Sequence, residues 1–322
     1  MHKATAFPAA GERPSGRLRA LLEFRYLALL SVLGTYSLIV LGGTVRATGS
    51  GTACPDWPLC HGRVVPPLET NVLIEFSHRL LASLVGLLIL ATILLIWRKH
   101  RDNRLVFRAG VAAGVLLAVQ VLLGGVTVGT ETNATVVALH LSVALTLLAA
   151  LILVAAAAFR LPAGAASAGK RPPELRHYLL PLATALATFA LIITGAYVSQ
   201  TGAGLAYPDW PLFNHKLVSA GGRLADLHYA HRLVAALAGA VLAALVVRTL
   251  RHERDRTVIA AVAFAFVLYV AQVFAGAANV WLELPTSLRI VHLALASALW
   301  AVIVFSMAWR FLGNLTPAGA TA

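Results

Sequence analysis

Apolar and polar residues follow one another along this chain in long blocks rather than in short alternations. The eight apolar blocks lie near residues 26–45, 74–97, 106–128, 134–159, 177–199, 226–248, 257–280 and 286–309. Each has roughly 20 residues or more, which as a helix is long enough to cross about 30 Å of hydrocarbon. The pattern therefore predicts an all-α polytopic membrane protein with eight transmembrane helices.

Composition supports a membrane protein over a soluble one. Of the 322 residues, 59% are hydrophobic and 12% are charged, whereas a soluble domain has about 25% charged residues. The first apolar block lacks a small-residue cleavage site, so we interpret it as a retained anchor rather than a signal peptide.

Basic residues predict the orientation of the chain. They are concentrated in the N-terminal tail and in the connections 98–108, 160–176 and 248–256. The positive-inside rule places these segments and both termini in the cytoplasm of a cell-membrane protein. The same segments account for much of the net charge of +13, so we expect membrane lipid and no nucleic acid as a partner.

The chain contains an internal repeat. TGSGTACPDWPLC at 48–60 is followed by TGAGLAYPDWPLF at 201–213. Each copy has an even number of predicted helices, so both copies enter the membrane from the same side. This arrangement predicts a pseudo-two-fold axis along the membrane normal that relates the two copies. The predicted segments are a tail (1–25), an N-terminal four-helix bundle (26–160), a linker (161–176), a C-terminal four-helix bundle (177–310) and a tail (311–322).

Four histidines repeat with the bundles, near the predicted outer ends of their helices. His231 follows His78 by 153 residues (231 − 78), and His292 follows His140 by 152 (292 − 140). Ionisable side chains inside membrane helices are rare and usually functional. Zinc sites favour short spacings with cysteine or carboxylate, whereas ligands on two separated helices suit a wide planar cofactor. The sequence therefore predicts two bis-histidine heme sites, with iron bound by each pair.

Other side chains near these histidines suggest supporting roles. Arg79 and Arg232 each follow a candidate ligand directly, and arginine binds carboxylates such as heme propionates in a bidentate manner. The alternative is that both arginines extend to the membrane interface. Cys54 and Cys60 lie in the first outer loop, where an oxidising compartment favours a disulfide.

The ordered set of motifs resembles the heme A synthase family. The set comprises GGTVRATGSG, CPDWPLC, E-x-x-H-R at 75–79, Q-x-x-x-G-G at 120–125 and the histidine of the fourth helix, and the resemblance covers about residues 26–310. It implies eight helices in two halves and conversion of heme O to heme A for terminal oxidases. The C8 methyl group would become a formyl group through successive hydroxylations and loss of water.

The resemblance also implies roles for individual residues. Glu75, three residues before His78, would be catalytic; its counterpart in the second half is His228. A carboxylate beside a heme edge acts as a base or stabilises a cation, although a structural role capping the helix is the alternative. Heme O as substrate is therefore expected at His78 and His140, and heme b as cofactor at His231 and His292.

The family implies further partners and a loop disulfide between Cys54 and Cys60. A heme O synthase (a farnesyltransferase) and an unidentified electron partner are expected, and a homo-oligomer is left open. Relatives with a second cysteine pair differ from this chain, which has Tyr207 and Phe213 at those positions.

Two other functions use the same four histidines. A di-heme b-type electron-transfer protein usually has hemes near opposite membrane faces, whereas all four histidines here lie toward one side. A heme transporter or chaperone would bind heme without converting it. The mechanism also stays open: with two histidines on the iron, either one leaves before oxygen binds, or the porphyrin is oxidised and water attacks.

Overall fold

The computed structural model describes residues 16–161, 175–219 and 221–315 of the chain. Within these ranges eight helices are long and apolar enough to cross a membrane. They are α1 Gly16–Ala47, α2 Thr70–Lys99, α3 Arg104–Gly129, α4 Ala134–Arg160, α5 Leu179–Gln200, α6 Arg223–His252, α7 Arg256–Trp281 and α8 Thr286–Leu315. The prediction of an all-α membrane protein with eight helices is confirmed.

The tails and the linker fall mostly outside the described residues. Residues 1–15, 162–174 and 316–322 are in this group, so the predicted segments there stay predictions. Helix α1 begins at Gly16, before the first apolar block, and its membrane-spanning part begins at Glu23. The helix therefore extends into the segment predicted as a tail.

Polar caps set the beginnings of three helices at the short connections. The side chains of Asn103, Asn133 and Asp255 each accept a hydrogen bond from a backbone N–H of the first helical turn. Such caps satisfy donors that would otherwise lack a partner at the helix end. Asn103 and Asp255 occupy equivalent positions of the repeat (255 − 103 = 152), so the same boundary is encoded in both halves.

The two halves pack against each other through four helices. Within a half, α1 contacts α2 and α3 contacts α4, and the same contacts recur between α5 and α6 and between α7 and α8. Across the junction α4 packs on α8, α1 on α8 and α5 on α4. Corresponding contacts in both halves agree with a tandem repeat, while the symmetry axis itself stays a prediction.

The junction between the halves is apolar, with a polar contact at its centre. Leu145, Leu148 and Ile303 are almost completely buried there. The indole Nε1–H of Trp300 in α8 donates to the carbonyl of Leu145 in α4 at 2.9 Å. The ring of Trp300 also packs on Phe189, with centroids 5.4 Å apart. Because hydrocarbon offers no alternative partner for this N–H, the bond ties the halves together.

Ion pairs fix the basic end of the bundle. Arg160, at the end of α4, pairs with Asp255 before α7 at 2.7 Å. Arg310 in α8 pairs with Glu253 at 3.3 Å. The first pair joins the two halves at the end that carries the basic connections.

We expect Trp300→Phe to lower the free energy of unfolding by about 1 kcal/mol, the size of an interhelical hydrogen bond in a membrane. The substitution keeps an aromatic ring but removes the donor to Leu145. Unfolding in detergent micelles measures the change. Trp309→Phe is the matched control because its Nε1 is buried without a hydrogen-bond partner. An equal loss in both variants would contradict a role for the bond.

Candidate functional site

All four candidate histidines lie at one end of the helical bundle. His78 and His231 lie eight residues after the first residues of α2 and α6, and His140 and His292 lie six residues after those of α4 and α8. These distances correspond to roughly two helical turns. In α2 and α6 the histidine lies near the first residue of the helix, whereas the basic connection follows the last residue. The histidines therefore share the non-basic end of the bundle.

The histidines approach each other in pairs, one pair in each half. His78 lies near His140 in the first half, and His231 lies near His292 in the second. Among the described residues there is no group of three or more histidine, cysteine or acidic side chains that could hold a metal ion. Each half thus offers two imidazoles from different helices. Ligation of iron by these pairs stays a prediction.

Each histidine ring packs against a glycine of the neighbouring helix. An added Cβ would lie 3.1 Å from the ring of His78 at Gly42 and 3.6 Å from the ring of His140 at Gly124. In the second half it would lie 2.9 Å from the ring of His231 at Gly195 and 3.1 Å from the ring of His292 at Gly276. These glycines repeat with the same offsets as the histidines (195 − 42 = 153 and 276 − 124 = 152). The space beside each ring therefore depends on a residue without a side chain.

Thr194 orients His231 in the second half. Its hydroxyl donates to the carbonyl of Leu191 at 3.0 Å and lies 3.2 Å from Nδ1 of His231. Because the hydroxyl hydrogen is engaged, the threonine oxygen accepts from Nδ1–H, which leaves the Nε2 lone pair for a metal. Sequence reasoning missed this residue, since its repeat equivalent is Leu41.

Gln120 contacts His140 in the first half. Its side-chain nitrogen lies 3.3 Å from Nε2 of the imidazole. An amide nitrogen only donates, so Nε2 of His140 is an acceptor with a lone pair. The Nδ1 atoms of His140 and His292 are buried without a partner. Two imidazoles in each half, each beside a glycine and between apolar helices, fit an iron porphyrin as the ligand.

The first outer loop folds back onto α2 and contains the expected disulfide. Cys54 and Cys60 are bonded with an S–S distance of 2.00 Å, and both are buried. The carboxylate of Asp56 accepts from the backbone N–H groups of Gly62 and His61. These hydrogen bonds, that of Gly62 first, hold the pKa of Asp56 below its usual value.

The corresponding loop of the second half has the same turn without a covalent bond. The carboxylate of Asp209 accepts from the N–H groups of Asn214 and His215 at 2.8 Å each. Tyr207 and Phe213 replace the cysteines and pack edge-to-face with ring centroids 5.0 Å apart. An aromatic contact therefore occupies the position of the disulfide.

Glu75 is a buried carboxylate that joins α2 to the disulfide loop. It is 4% exposed, and its oxygens accept from the N–H of Cys54 at 2.9 Å and from Arg79 at 2.6 Å. It lies three residues before His78 in α2. In the second half, His228 is equally buried and accepts from Arg232 at 3.1 Å. The two halves thus differ in charge at the same place.

Arg79 and Arg232 hold their loops in position. Arg79 donates to the carbonyls of Cys54 and Leu59, and Arg232 donates to the carbonyl of Leu212 at 2.7 Å. Leu59 and Leu212 are equivalent positions (212 − 59 = 153). One guanidinium nitrogen of Arg232 is buried without a partner. Binding of propionates by these arginines stays a prediction.

Comparison with known proteins gives one consistent result. The profile of the cytochrome oxidase assembly protein family matches residues 25–304. A heme A synthase of Lysinibacillus sphaericus is 30% identical over 87% of this chain and 94% of the relative. Heme A synthases of Alkalihalophilus pseudofirmus and Geobacillus kaustophilus are each 29% identical over 88% of this chain, covering 96% and 90% of the relatives.

We expect Gly195→Ala to weaken heme binding in the second half by about tenfold or more, since ligand-orienting changes typically reduce metal affinity 10- to 100-fold. The new methyl group would lie 2.9 Å from Cε1 of His231 and displace the ring. Heme titration followed by absorbance measures the affinity.

Gly86→Ala is the control for this substitution. It is also a glycine in a membrane helix, but an added Cβ there has no neighbour within 4 Å. It should leave heme affinity unchanged and favour the helix slightly. Equal heme affinity in the two variants would contradict the importance of the glycine contact.

Proposed function

Because the chain belongs to the heme A synthase family of cytochrome oxidase assembly proteins, we propose that it is a membrane oxidoreductase that converts heme O to heme A. The C8 methyl group of heme O is oxidised to a formyl group by successive hydroxylations and loss of water. The observation that carries this proposal is the placement of two histidine pairs, one in each half, at a single end of the bundle.

The second half holds heme b in this proposal. His231 and His292 would hold the heme iron through their imidazole nitrogens, and the hydrogen bond of Thr194 to Nδ1 of His231 would leave Nε2 of that ring for the iron. Bound heme supplies the iron redox chemistry that amino-acid side chains lack. The contribution of the protein is to hold the imidazoles neutral and fixed between apolar helices.

The first half binds heme O as substrate through His78 and His140. Its distinguishing group is Glu75, since the second half has His228 in the same place. A fixed carboxylate near the reacting edge accepts a proton or stabilises developing positive charge. The hydrogen bonds from Cys54 and Arg79 fix the direction of this carboxylate.

The loop disulfide supports Glu75 through the main chain. The N–H that binds the carboxylate belongs to Cys54 itself, and the same residue's carbonyl accepts from Arg79. Closing the loop at Cys60 limits the positions that Cys54 can adopt. The disulfide thereby positions the carboxylate.

The proposed location is the cell membrane, with both termini in the cytoplasm and the histidine sites toward the outer face. The basic connections lie at the opposite end from the histidines, as the positive-inside rule requires for this orientation. Heme O synthase as the source of substrate and an electron partner complete the proposal. Assembly into a homo-oligomer is compatible with it.

We expect Glu75→Gln to lower the rate of heme A formation by about 10²- to 10⁴-fold, the usual contribution of a general acid or base. Glutamine keeps an oxygen that accepts from Cys54 but removes the charge. Heme occupancy should stay at the wild-type level, because the four histidines are intact. Product is measured by chromatography with mass detection on cells supplied with heme O.

Glu131→Gln is the control for Glu75→Gln. Glu131 is an exposed glutamate in a connection at the same end of the bundle, and its substitution should not change conversion. Heme A formation at the wild-type rate in Glu75→Gln would remove this carboxylate from the mechanism.

A further inference from the structure

Two arginines meet where the halves join, at the histidine end of the bundle. Arg46 lies in the last turn of α1 and Arg289 in the first turn of α8. Arg46 donates to the carbonyl of Ser199 at the end of α5, at 3.3 Å. Arg289 donates to the carbonyl of Ala47 at the end of α1, at 3.2 Å. Each side chain therefore reaches across the junction to the other half.

Each arginine lies one helical turn from a residue of a histidine site. Arg289 precedes His292 by three residues in α8, which places the two side chains on one face of the helix. Arg46 follows Gly42 by four residues in α1, and Gly42 is the glycine that packs on His78. The arginine pair is thus located at the junction, next to a helix of each histidine site.

The pair has no anion of its own. Among the described residues, neither Arg46 nor Arg289 forms an ion pair with a carboxylate. Nε of Arg46 is buried and has no hydrogen-bond partner in the described part of the chain, and the charge of Arg289 acts on Arg46. Helix C-termini carry only partial negative charge, which does not neutralise two half-buried guanidinium groups. The arrangement fits a carboxylate ligand.

The arginine pair is not a product of the internal repeat. The repeat equivalent of Arg46 is Ser199 (199 − 46 = 153), and that of Arg289 is Val137 (289 − 137 = 152). Each arginine therefore occurs in one half alone. Arg46 also binds the main chain of its own repeat equivalent, which is expected only where the two halves meet. The pair belongs to the junction rather than to either bundle.

We propose that Arg46 and Arg289 bind heme propionates at the junction, Arg46 for the first half and Arg289 for the second. This inference rests on the proposed function. Heme propionates are anionic carboxylates, which arginine binds through paired N–H groups. Arg79, the candidate from sequence in the first half, already pairs with the carboxylate of Glu75. Among the described residues, by contrast, Arg46 and Arg289 donate only to main-chain carbonyls. Because the two arginines interact with each other, a propionate bound to one of them changes the electrostatic potential at the other.

The test compares heme b with its dimethyl ester, which lacks the carboxylate charges. Full-length protein is reconstituted with each in the wild type, Arg46→Gln, Arg289→Gln and the double variant. With heme b, we expect the double variant to release heme about tenfold faster or more, the effect of losing a charge-assisted hydrogen bond. Its reduction potential should fall, because propionates without a cation stabilise ferric iron. With the dimethyl ester, these differences should disappear.

Two further variants separate charge from a purely structural role. Arg46→Lys keeps the charge, so it should retain the wild-type potential, whereas Gln retains only a donor for Ser199. Arg63→Gln removes an exposed arginine at the same end of the bundle and should change neither release nor potential. If the arginines only join helix ends, the variants should lose thermal stability but release heme b and its dimethyl ester at equal rates. That result would overturn the proposal.

The outcomes also separate this inference from the proposed function. Wild-type protein that takes up no heme would overturn both. Wild-type protein that binds heme b, together with arginine variants that release heme and its ester at unchanged rates, would overturn only the propionate site.

Discussion

Placing imidazole side chains inside an apolar helix bundle is the constraint on which the rest of this structure depends. A polar ring in hydrocarbon needs a partner or a ligand, and the ring needs space that ordinary helix packing does not leave. Gly42, Gly124, Gly195 and Gly276 provide that space in the neighbouring helices. The approach of α1 to α2 and of α3 to α4, with their counterparts in the second half, follows from these contacts.

The chemical difference between the halves lies where each outer loop packs on the start of α2 or α6. Both loops have the same turn around an aspartate, and both are held by an arginine one residue after a histidine. In the first half a disulfide and the buried Glu75 meet at this place. In the second half an aromatic pair and His228 take their positions. The two copies of one scaffold thus differ in charge at equivalent positions, which agrees with the proposed substrate half and cofactor half.

The sequence was sufficient for features that repeat or that depend on hydropathy. The eight helices follow from long apolar blocks, and the histidine pairs follow from two nearly equal offsets. A hydrogen bond between helices was expected for Gln120, but its partner His140 and the contact of Thr194 could not be predicted, because they depend on the rotation of helices about their axes. The helical start at Gly16 was also missed, since charged residues interrupt the apolar ones in 16–25.

Contacts across the junction were the least predictable part of the site. Arg46 and Arg289 are far apart in the sequence and have no repeat partner of the same type. Their proximity exists only after the two halves pack. The equal glycine offsets were a usable signal, because they match those of the histidines and mark the helix faces that approach each ring.

Identification of the hemes extracted from the purified protein tests the central claim most directly. The protein is expressed in cells that supply heme O, and its hemes are separated by chromatography with mass detection. Heme b together with heme A, or with a hydroxylated form of heme O, is the result that a synthase with one cofactor half and one substrate half predicts. Heme b alone, at two per chain, would contradict the account and indicate a di-heme electron-transfer protein.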